Sequence, residues 1–121
     1  MDYILNKFLP RIKFDSYEDF KANFKINVPE DFNFGYDVVD AWAEAEPEKR
    51  ALVWCNDHGE ERIFTFTDVK KISNKMCNYF KSIGLKKGDK VLLIMKRRWE
   101  YWITVTAPHK MGVVIIPATF Q

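Results

Sequence analysis

Two short basic segments hold the residues whose types and spacing could bind an anion or a nucleic acid. The first is the turn "GLKKGDK" (84–90), whose two glycines and three lysines could form a phosphate cradle. A phosphate-binding P-loop has four residues between its glycines, ends in Lys and Ser/Thr, and leads from a strand into a helix. Here three residues separate Gly84 from Gly88, Asp89 follows, and the predicted order is helix to strand. The turn is therefore predicted to be scaffold.

The second segment, "KRRWEYW" (96–102), places three bases next to aromatic rings. Such a mixture can bind single-stranded nucleic acid through charge and stacking. We favour the alternative that a helix begins near Arg98 and buries Trp99 and Trp102, while the basic side chains of the segment lie in solvent. Arg98 and Glu100 also follow the C-terminal end of a predicted strand, where α/β proteins place ligands. Core packing with a structural ion pair, ligand proximity and nucleic-acid binding therefore stay open, in that order.

The histidines and cysteines show no spacing that is typical of a metal site or a catalytic triad. His58 lies in a predicted loop and His109 beside a proline, so loop exposure or core packing is expected for both. Cys55 and Cys77 are expected to be buried, reduced thiols. No catalytic residue and no metal ligand is predicted in this chain.

Hydrophobic periodicity predicts an α/β fold. A helix is expected from about 68 to 83, with Thr67 as its N-cap and Gly84 at its C-terminal end. Two unbroken apolar runs, 91–95 and 113–116, are typical of parallel strands that are covered on both faces. Because another apolar, helix-length segment separates these runs, strand, helix and strand form a βαβ unit.

Three further elements are predicted before this helix. They are an aromatic-rich arm that contains a helix capped by Ser16, a helix over about 36–46 that ends at Pro47, and a hairpin of strands 51–55 and 63–66 with Gly59 in its turn.

Composition indicates a globular chain: 47% of its 121 residues are hydrophobic and 30% are charged. A net charge of +2 with scattered acids argues against a dedicated nucleic-acid binder. No apolar run approaches the roughly 20 residues that span a bilayer, and no signal peptide is visible. With its two unpaired cysteines, the protein is predicted to be soluble and cytoplasmic.

Three strings resemble the beginning of AMP-forming acyl-CoA synthetases, which belong to the adenylate-forming superfamily. They are "FNFGYDVVDAWA" (32–43), "FTFTDVKKISNKMCNYFKSIGLKKGDKV" (64–91) and "RRWEYWITVTAPHKMGVVIIPATFQ" (97–121). The likeness is greatest to the medium-chain branch, through the Phe-Asn-Phe opening and the Pro-Ala-Thr-x-Gln ending. Pro108 departs from the family pattern, in which an aliphatic residue or a cysteine is usual.

The resemblance implies the N-terminal portion of the large domain of an adenylate-forming enzyme, with parallel strands flanked by helices and a small antiparallel hairpin. Residues 1–33 would be an arm, and residues 34–121 the start of the AMP-binding domain. The family activates a carboxylic acid with ATP and Mg²⁺ and transfers the acyl group to coenzyme A. Its phosphate loop and catalytic lysine would lie beyond Gln121, so the chain is predicted to be a fragment of a ligase and inactive alone.

One cofactor-binding residue is implied: Gln121, which would border the coenzyme A channel. Thr119 and Phe120 are weaker candidates for this contact, because Thr119 is rather expected to be a turn hydroxyl and Phe120 a core aromatic. The expected partners are small molecules, without nucleic acid or a membrane span, and exposed apolar surface would favour self-association. Two alternatives remain, namely a standalone basic and aromatic interaction module, and an adenylate-forming enzyme that does not use coenzyme A.

Overall fold

The computed structural model describes residues 2–119 and divides them into two compact units, one ending at Phe32 and the other beginning at Asn33. The first unit contains helices α1 (Asp2–Phe8) and α2 (Tyr17–Asn23). The second contains a π-helical segment (Gly35–Asp40), α3 (Ala41–Ala45), β1 (Arg50–Cys55), β2 (Glu61–Thr65), α4 (Phe66–Ser82), β3 (Lys90–Ile94), α5 (Trp99–Met111) and β4 (Val114–Ala118).

The first unit is organised around the start of α2. The Ser16 hydroxyl caps this helix, as predicted, by accepting a hydrogen bond from the Asp19 N–H at 3.1 Å. The Asp19 carboxylate in turn receives two hydrogen bonds from the Arg11 guanidinium, at 2.8 and 2.6 Å. The rings of Phe20 and Phe24 lie 4.7 Å apart between their centroids. A side-chain cap, an ion pair and an aromatic pair thus fix this short helix locally.

The predicted hairpin is present, with β1 and β2 antiparallel and Gly59 at positive φ in the turn. Its second strand runs from Glu61 to Thr65, rather than over 63–66, because Phe66 already belongs to α4. Cys55 is exposed, so the expectation that both thiols are buried is wrong for this one.

The N-cap of α4 is Thr65 and not Thr67. The Thr65 hydroxyl accepts from the Asp68 N–H at 3.1 Å, and the Thr65 N–H donates to the Asp68 carboxylate at 2.9 Å, which together form a capping box. Thr67 instead donates its hydroxyl to the Pro47 carbonyl at 2.8 Å. Since β2 passes into α4 without a loop, the last residue of the strand is the one placed to cap the helix.

The C-terminal end of α4 follows the prediction. Gly84 has a φ of +90°, and its N–H donates to the Lys81 carbonyl at 3.0 Å. The Leu85 N–H donates to the Phe80 carbonyl at 3.0 Å, and Leu85 packs against the core cluster that contains Phe80. These two bonds and the apolar contact form a Schellman motif, which requires the left-handed conformation that glycine adopts without strain.

α5 continues through Pro108 without a break, although a proline inside a helix usually kinks or ends it. A proline has no N–H, so the carbonyl one turn earlier loses its donor. The Pro108 carbonyl accepts the Val113 N–H at 2.9 Å, and Gly112 at a φ of +68° ends the helix. Pro108 is fully buried, and next to it Ala107 forms the core between α4 and α5 with Cys77.

β3 and β4 pair in parallel, with Leu92 opposite Ile116, and α5 connects them as the predicted βαβ unit. On one face of this sheet Leu93 is buried, whereas on the other Leu92, Ile94, Val114 and Ile116 are exposed. The prediction that the strand is covered on both faces is therefore wrong for residues 2–119. The fold class itself, parallel strands flanked by helices with a separate antiparallel hairpin, is confirmed.

Candidate functional site

The glycine-rich turn between α4 and β3 is scaffold, as predicted. Two of its central backbone amides already have partners within the chain: the Lys86 N–H donates to the Asp89 carboxylate at 2.7 Å, and the Gly88 N–H donates to the Gly112 carbonyl at 2.9 Å. The Asp89 carbonyl accepts the Val114 N–H at 2.8 Å, which ties the turn to the start of β4. These amides are not available to cradle a phosphate.

The second basic segment borders an open cavity of about 370 Å³ at the carboxyl end of β3, which we call the basic–aromatic groove. Its lining consists of Trp54, Met95, Lys96, Arg97, Arg98, Tyr101 and Trp102. The indole N–H of Trp54 donates to the Arg97 carbonyl at 3.1 Å, so the hairpin is joined to the segment that leads into α5. The groove thus combines three aromatic side chains with three consecutive basic residues.

Arg98 and Glu100 form an ion pair, as in the favoured of the three alternatives for this segment. Two hydrogen bonds join them, at 2.7 Å from Nη2 to Oε1 and 3.2 Å from Nε to Oε2. The bonds from the Arg98 guanidinium lower the pKa of Glu100, and the same contact raises the pKa of Arg98. Arg98 is the N-cap residue of α5 but makes no side-chain capping bond, so the first turn of the helix opens without a polar cap.

The aromatic residues of this segment differ from prediction in one respect. Trp99 is half-buried, beneath the Arg62 guanidinium and next to the Phe64 ring. Trp102, which was expected in the core, is 56% exposed. The buried face of α5 contains Ile103. Consecutive residues of a helix point about 100° apart, so the preceding residue, Trp102, lies off that face.

A second cavity, of about 400 Å³, lies beside the groove and is apolar. Its lining consists of Phe34, Val38, Val39, Trp42, Ala51, Leu52, Phe66, Val69, Trp102 and Thr106. The Trp42 and Phe66 rings stack at 5.8 Å, and the Thr106 hydroxyl already donates to the Trp102 carbonyl at 2.8 Å. Trp102 borders both cavities and separates a charged opening from an apolar one.

The C-terminal end of α5 holds a buried ion pair that the sequence analysis missed. Lys110 Nζ lies 2.6 Å from Asp40 Oδ1 and 2.8 Å from Asn74 Oδ1, and the Lys110 side chain has no exposed surface. The sequence could have indicated this burial, because Lys110 lies on the same face of α5 as Ile103 and Ala107. These contacts join α5 to the π-helical segment and to α4, so the buried pair has a structural role.

Asn33 fastens the π-helical segment to the same end of α5. Its Nδ2 donates to the His109 carbonyl at 2.8 Å, and its Oδ1 accepts the Gly35 N–H at 3.0 Å. A β-carbon at Gly35 would overlap Cγ of Lys110, which explains why glycine occupies this position. The buried pair and Asn33 together position the segment that forms one wall of the apolar cavity.

The remaining candidate residues are not brought together. His58 and His109 are exposed, and the Cys77 thiol is buried with its pKa raised by desolvation, so it stays protonated and unreactive. Between residues 2 and 119 no group of three acid, histidine or cysteine side chains could hold a metal ion, and no helix is long and apolar enough to cross a membrane. Thr119 is exposed, whereas Phe120 and Gln121 lie outside the described residues, so the role of Gln121 stays a prediction.

The fold is that of adenylate-forming ligases. It superposes on the fatty acid AMP ligase from Legionella pneumophila with a TM-score of 0.66 and 21% identity, over 70% of this chain and 15% of that one. Acetoacetyl-CoA synthetase from Streptomyces lividans gives a TM-score of 0.67 and 17% identity, over 73% of this chain and 14% of that one. At these identities the likeness establishes the fold alone.

Sequence similarity defines the family. Residues 39–120 match the AMP-binding enzyme family, and the chain belongs to it. The mitochondrial acyl-coenzyme A synthetase ACSM3 of Homo sapiens is 38% identical over 114 residues, or 89% of this chain and 20% of that protein. The mitochondrial ACSM5 of Rattus norvegicus is 40% identical over 100 residues, or 78% of this chain and 17% of that protein. The chain thus spans about a fifth of the length of these relatives.

The predicted cytoplasmic location is wrong by this comparison, since these relatives are mitochondrial proteins. The prediction rested on two unpaired thiols and on the absence of a recognisable signal. Unpaired thiols indicate a reducing environment, and that criterion does not single out the cytosol.

Proposed function

We propose that the protein is an AMP-forming acyl-CoA synthetase that acts on a carboxylic acid of medium chain length. The observation that carries this proposal is the family match over 39–120 together with 38–40% identity to ACSM3 and ACSM5. ATP supplies the adenylyl group that activates the carboxylate, and coenzyme A supplies the thiol that accepts the acyl group.

In this proposal residues 34–121 are the start of the AMP-binding large domain of a longer enzyme, and residues 1–33 are an N-terminal arm. The change from one compact unit to the next at Asn33 supports this division. The described residues contribute scaffold: the βαβ unit, its capped helices and the buried Lys110 pair. The groups that hold ATP and Mg²⁺ would lie in other parts of the enzyme.

The test is to measure the two half-reactions of the full-length protein separately. Carboxylate-dependent exchange between ATP and pyrophosphate reports adenylate formation, and coenzyme A consumption reports thioester formation. We expect both with medium-chain acids and neither with the 121-residue chain alone. Adenylate formation without thioester formation would favour the adenylating enzyme that does not use coenzyme A. Exchange by the 121-residue chain would refute its assignment as part of the enzyme.

Gln121 is the proposed coenzyme A contact. It follows β4, where the chain leaves the sheet at a strand end, and its carboxamide can both donate to and accept from the amides of the pantetheine arm. In the full-length protein, Gln121→Ala should cost about 0.5–1.5 kcal/mol in coenzyme A use and leave adenylate formation nearly unchanged. Asn78→Ala, which removes an exposed carboxamide from α4, is the matched control. Equal loss in both half-reactions would make Gln121 structural.

We further propose that the 121-residue chain associates with itself through the uncovered face of its parallel sheet. The exposed side chains of Leu92, Ile94 and Ile116 support this, because contiguous apolar surface of this kind is unusual on a monomer. Sedimentation and hydrophobic-dye binding should both report this face, and Leu92→Thr with Ile116→Thr should reduce both signals. A strictly monomeric chain that does not bind dye would contradict the proposal.

Mitochondria are the proposed location, on the basis of the relatives named above. Subcellular fractionation of cells that express the full-length protein should recover it with mitochondrial markers. Recovery with cytosolic markers alone would refute this location.

A further inference from the structure

The charges of the chain are distributed unevenly. Residues 70–90, which comprise most of α4 and the turn that follows it, contain seven lysines and a single acid, Asp89. This stretch therefore carries a formal charge of +6, whereas the whole chain carries +2, so the other 100 residues carry −4. Positive charge that is concentrated on one element of a nearly neutral chain indicates an interaction surface for an anionic partner.

The lysines of α4 differ in whether the fold already uses their charge. Lys70 Nζ lies 3.0 Å from Glu44 Oε1, so this lysine is paired with α3. Lys71, Lys75 and Lys81 are exposed, and none of them makes a salt bridge within residues 2–119. These three ammonium groups can meet an anionic surface without breaking a contact within the described part of the chain.

One strip of α4, which we call the α4 strip, combines two of these lysines with two exposed apolar side chains. Its members recur every four residues and so share one side of the helix: Lys71, Lys75, Tyr79 and Ile83. Tyr79 is 57% exposed and Ile83 is 55% exposed. The Tyr79 ring is held by the buried ring of Phe80, at 5.9 Å between centroids. Because twelve residues of helix rise about 18 Å, the strip can lie along an extended flat partner.

The turn after α4 continues the positive charge beyond the apolar end of the strip. It carries three exposed lysines, Lys86, Lys87 and Lys90. The acid of the stretch, Asp89, accepts the Lys86 N–H at 2.7 Å, so its carboxylate is engaged by the main chain. Along the chain, the two apolar side chains of the α4 strip therefore have lysines on both sides.

We propose that the α4 strip and the turn after it form a docking surface for an anionic lipid bilayer. The lysines lie at the level of the charged headgroups, and Tyr79 and Ile83 enter the boundary between headgroups and acyl chains. The apolar pair favours a bilayer over a nucleic acid, because Ile83 gains from insertion into lipid and has no ring to stack on a base. The chain lies on the bilayer in this proposal, which does not depend on the proposed ligase activity.

The test is sedimentation of the 121-residue chain with two kinds of vesicle, phosphatidylcholine alone and phosphatidylcholine with about one third phosphatidylglycerol. We expect the anionic vesicles to bind at least about tenfold more tightly at ~0.1 M salt. This preference should disappear at ~1 M salt, where the screening length is only about 3 Å. The neutral vesicles also control for the uncovered face of the parallel sheet, because an apolar face does not distinguish the two lipids by charge. Equal binding to both vesicles, or no binding to the anionic ones, would overturn the proposal.

Matched lysine variants locate the surface. Lys71→Gln with Lys75→Gln should weaken binding to the anionic vesicles at least about tenfold, because each lysine near such a surface contributes about fivefold. Lys21→Gln with Lys25→Gln removes the same charge from exposed lysines of the first unit and should leave binding nearly unchanged. All four side chains are exposed, so circular dichroism should show that both variants are folded. Equal weakening by the two variants would reduce the effect to net charge and overturn the proposal.

The apolar pair gives an independent readout. Tyr79→Thr with Ile83→Thr should weaken binding several-fold and leave its salt dependence unchanged, because no charge is removed, whereas the α4 lysine variant should reduce that dependence. The matched control is Val53→Thr with Ile63→Thr, which alters an exposed apolar pair on the hairpin and should not change binding. Equal weakening by this control would overturn the assignment of the surface to α4.

Two further ligands separate a bilayer from other anionic partners. A single-stranded oligothymidylate and polyglutamate present negative charge without an apolar layer, so neither should bind as tightly as the anionic vesicles at the same salt concentration. Equal or tighter binding of the oligothymidylate would overturn the proposal in favour of a nucleic-acid surface. Equal or tighter binding of polyglutamate would overturn it in favour of an acidic protein partner.

Discussion

Each end of α5 carries a basic side chain that is paired with a carboxylate. The nitrogen–oxygen distances of the two pairs are nearly the same, but one pair is buried and the other is exposed. At the C-terminal end Lys110 Nζ lies 2.6 Å from Asp40, and the lysine side chain is fully buried. At the N-terminal end Arg98 Nη2 lies 2.7 Å from Glu100, and the arginine side chain is 60% exposed. Since the distances hardly differ, solvent and not geometry decides what each pair does.

Burial makes the C-terminal pair obligatory. Removing two charges from water has a large desolvation cost, which is offset by the mutual attraction, the extra bond to Asn74 and the Tyr36 ring, whose centroid lies 5.6 Å from Lys110 Nζ. Loss of one partner would leave an uncompensated charge in the core. The exposed pair can exchange its contacts for water at little cost, so its loss should hardly change the stability of the fold.

The largest expected effect is therefore that of breaking the buried pair. Lys110→Met keeps most of the aliphatic stem but leaves the Asp40 carboxylate unpaired, so unfolding free energy should fall by about 3–5 kcal/mol. Urea unfolding followed by circular dichroism measures it. Arg98→Gln at the exposed end should leave the midpoint nearly unchanged, as should Lys75→Met on the exposed side of α4. Similar losses at Lys110 and Arg98 would invalidate the contrast.

Replacing both buried partners sharpens the comparison. If desolvation dominates, Asp40→Leu in the Lys110→Met background should restore much of the lost stability, because neither charge then remains in the core. The two changes should be coupled by about 2–3 kcal/mol in a double-mutant cycle. Additive losses would mean that the two side chains do not interact energetically, which would contradict a coupled buried pair.

The exposed end of α5 was accessible to sequence reasoning, whereas the buried end was not. Arg98 and Glu100 are two residues apart, so their pairing could be inferred locally. Lys110 finds its partners 70 and 36 residues away, at Asp40 and Asn74, and a lysine in a sequence is expected in solvent. Only the tertiary fold brings these three residues together.

The helix ends show the same division between local and tertiary information. Gly84 could be predicted from its place after the last apolar position of α4, because a C-cap depends on local backbone conformation. Thr65 could have been found from its spacing of three residues from Asp68, but the periodicity alone favoured Thr67. Exposed apolar surface was expected, but its assignment to the Leu92 face could not be made, because an apolar run does not reveal which of its faces is covered.

A smaller effect is expected from crowding the buried pair without removing a charge. Gly35→Ala would place a methyl group against Cγ of Lys110, and its cost should be about 1–2 kcal/mol of unfolding free energy. In a Lys110→Ala background that Cγ is absent, so the added cost of Gly35→Ala should largely disappear. The same denaturation experiment measures both, and an undiminished cost in that background would place the strain elsewhere, at Asn33 or the Lys110 backbone.

The smallest expected effect is a pH and salt dependence at the exposed end. The Glu100 pKa is lowered, chiefly by the hydrogen bonds from Arg98, so the pair stabilises the fold above the ordinary glutamate pKa of about 4.3. This contribution is lost as pH falls through the lower, folded pKa, because protonation removes the charge that Arg98 binds. The small stability difference between the parent and Arg98→Gln should therefore be present at pH 7 and vanish once the pH falls below the lowered pKa of Glu100.

Carbon-13 NMR of the Glu100 carboxyl group gives the direct measurement: its pKa should rise toward the ordinary value in Arg98→Gln. Salt at about 1 M should remove the small difference at pH 7 as well, since the screening length is then only about 3 Å. The loss caused by Lys110→Met should persist at that salt concentration, because mobile ions do not enter the core between Asp40 and Asn74. If salt reduced both losses equally, water and ions would have to reach Lys110, and the two ends of α5 would not differ in the way their burial indicates.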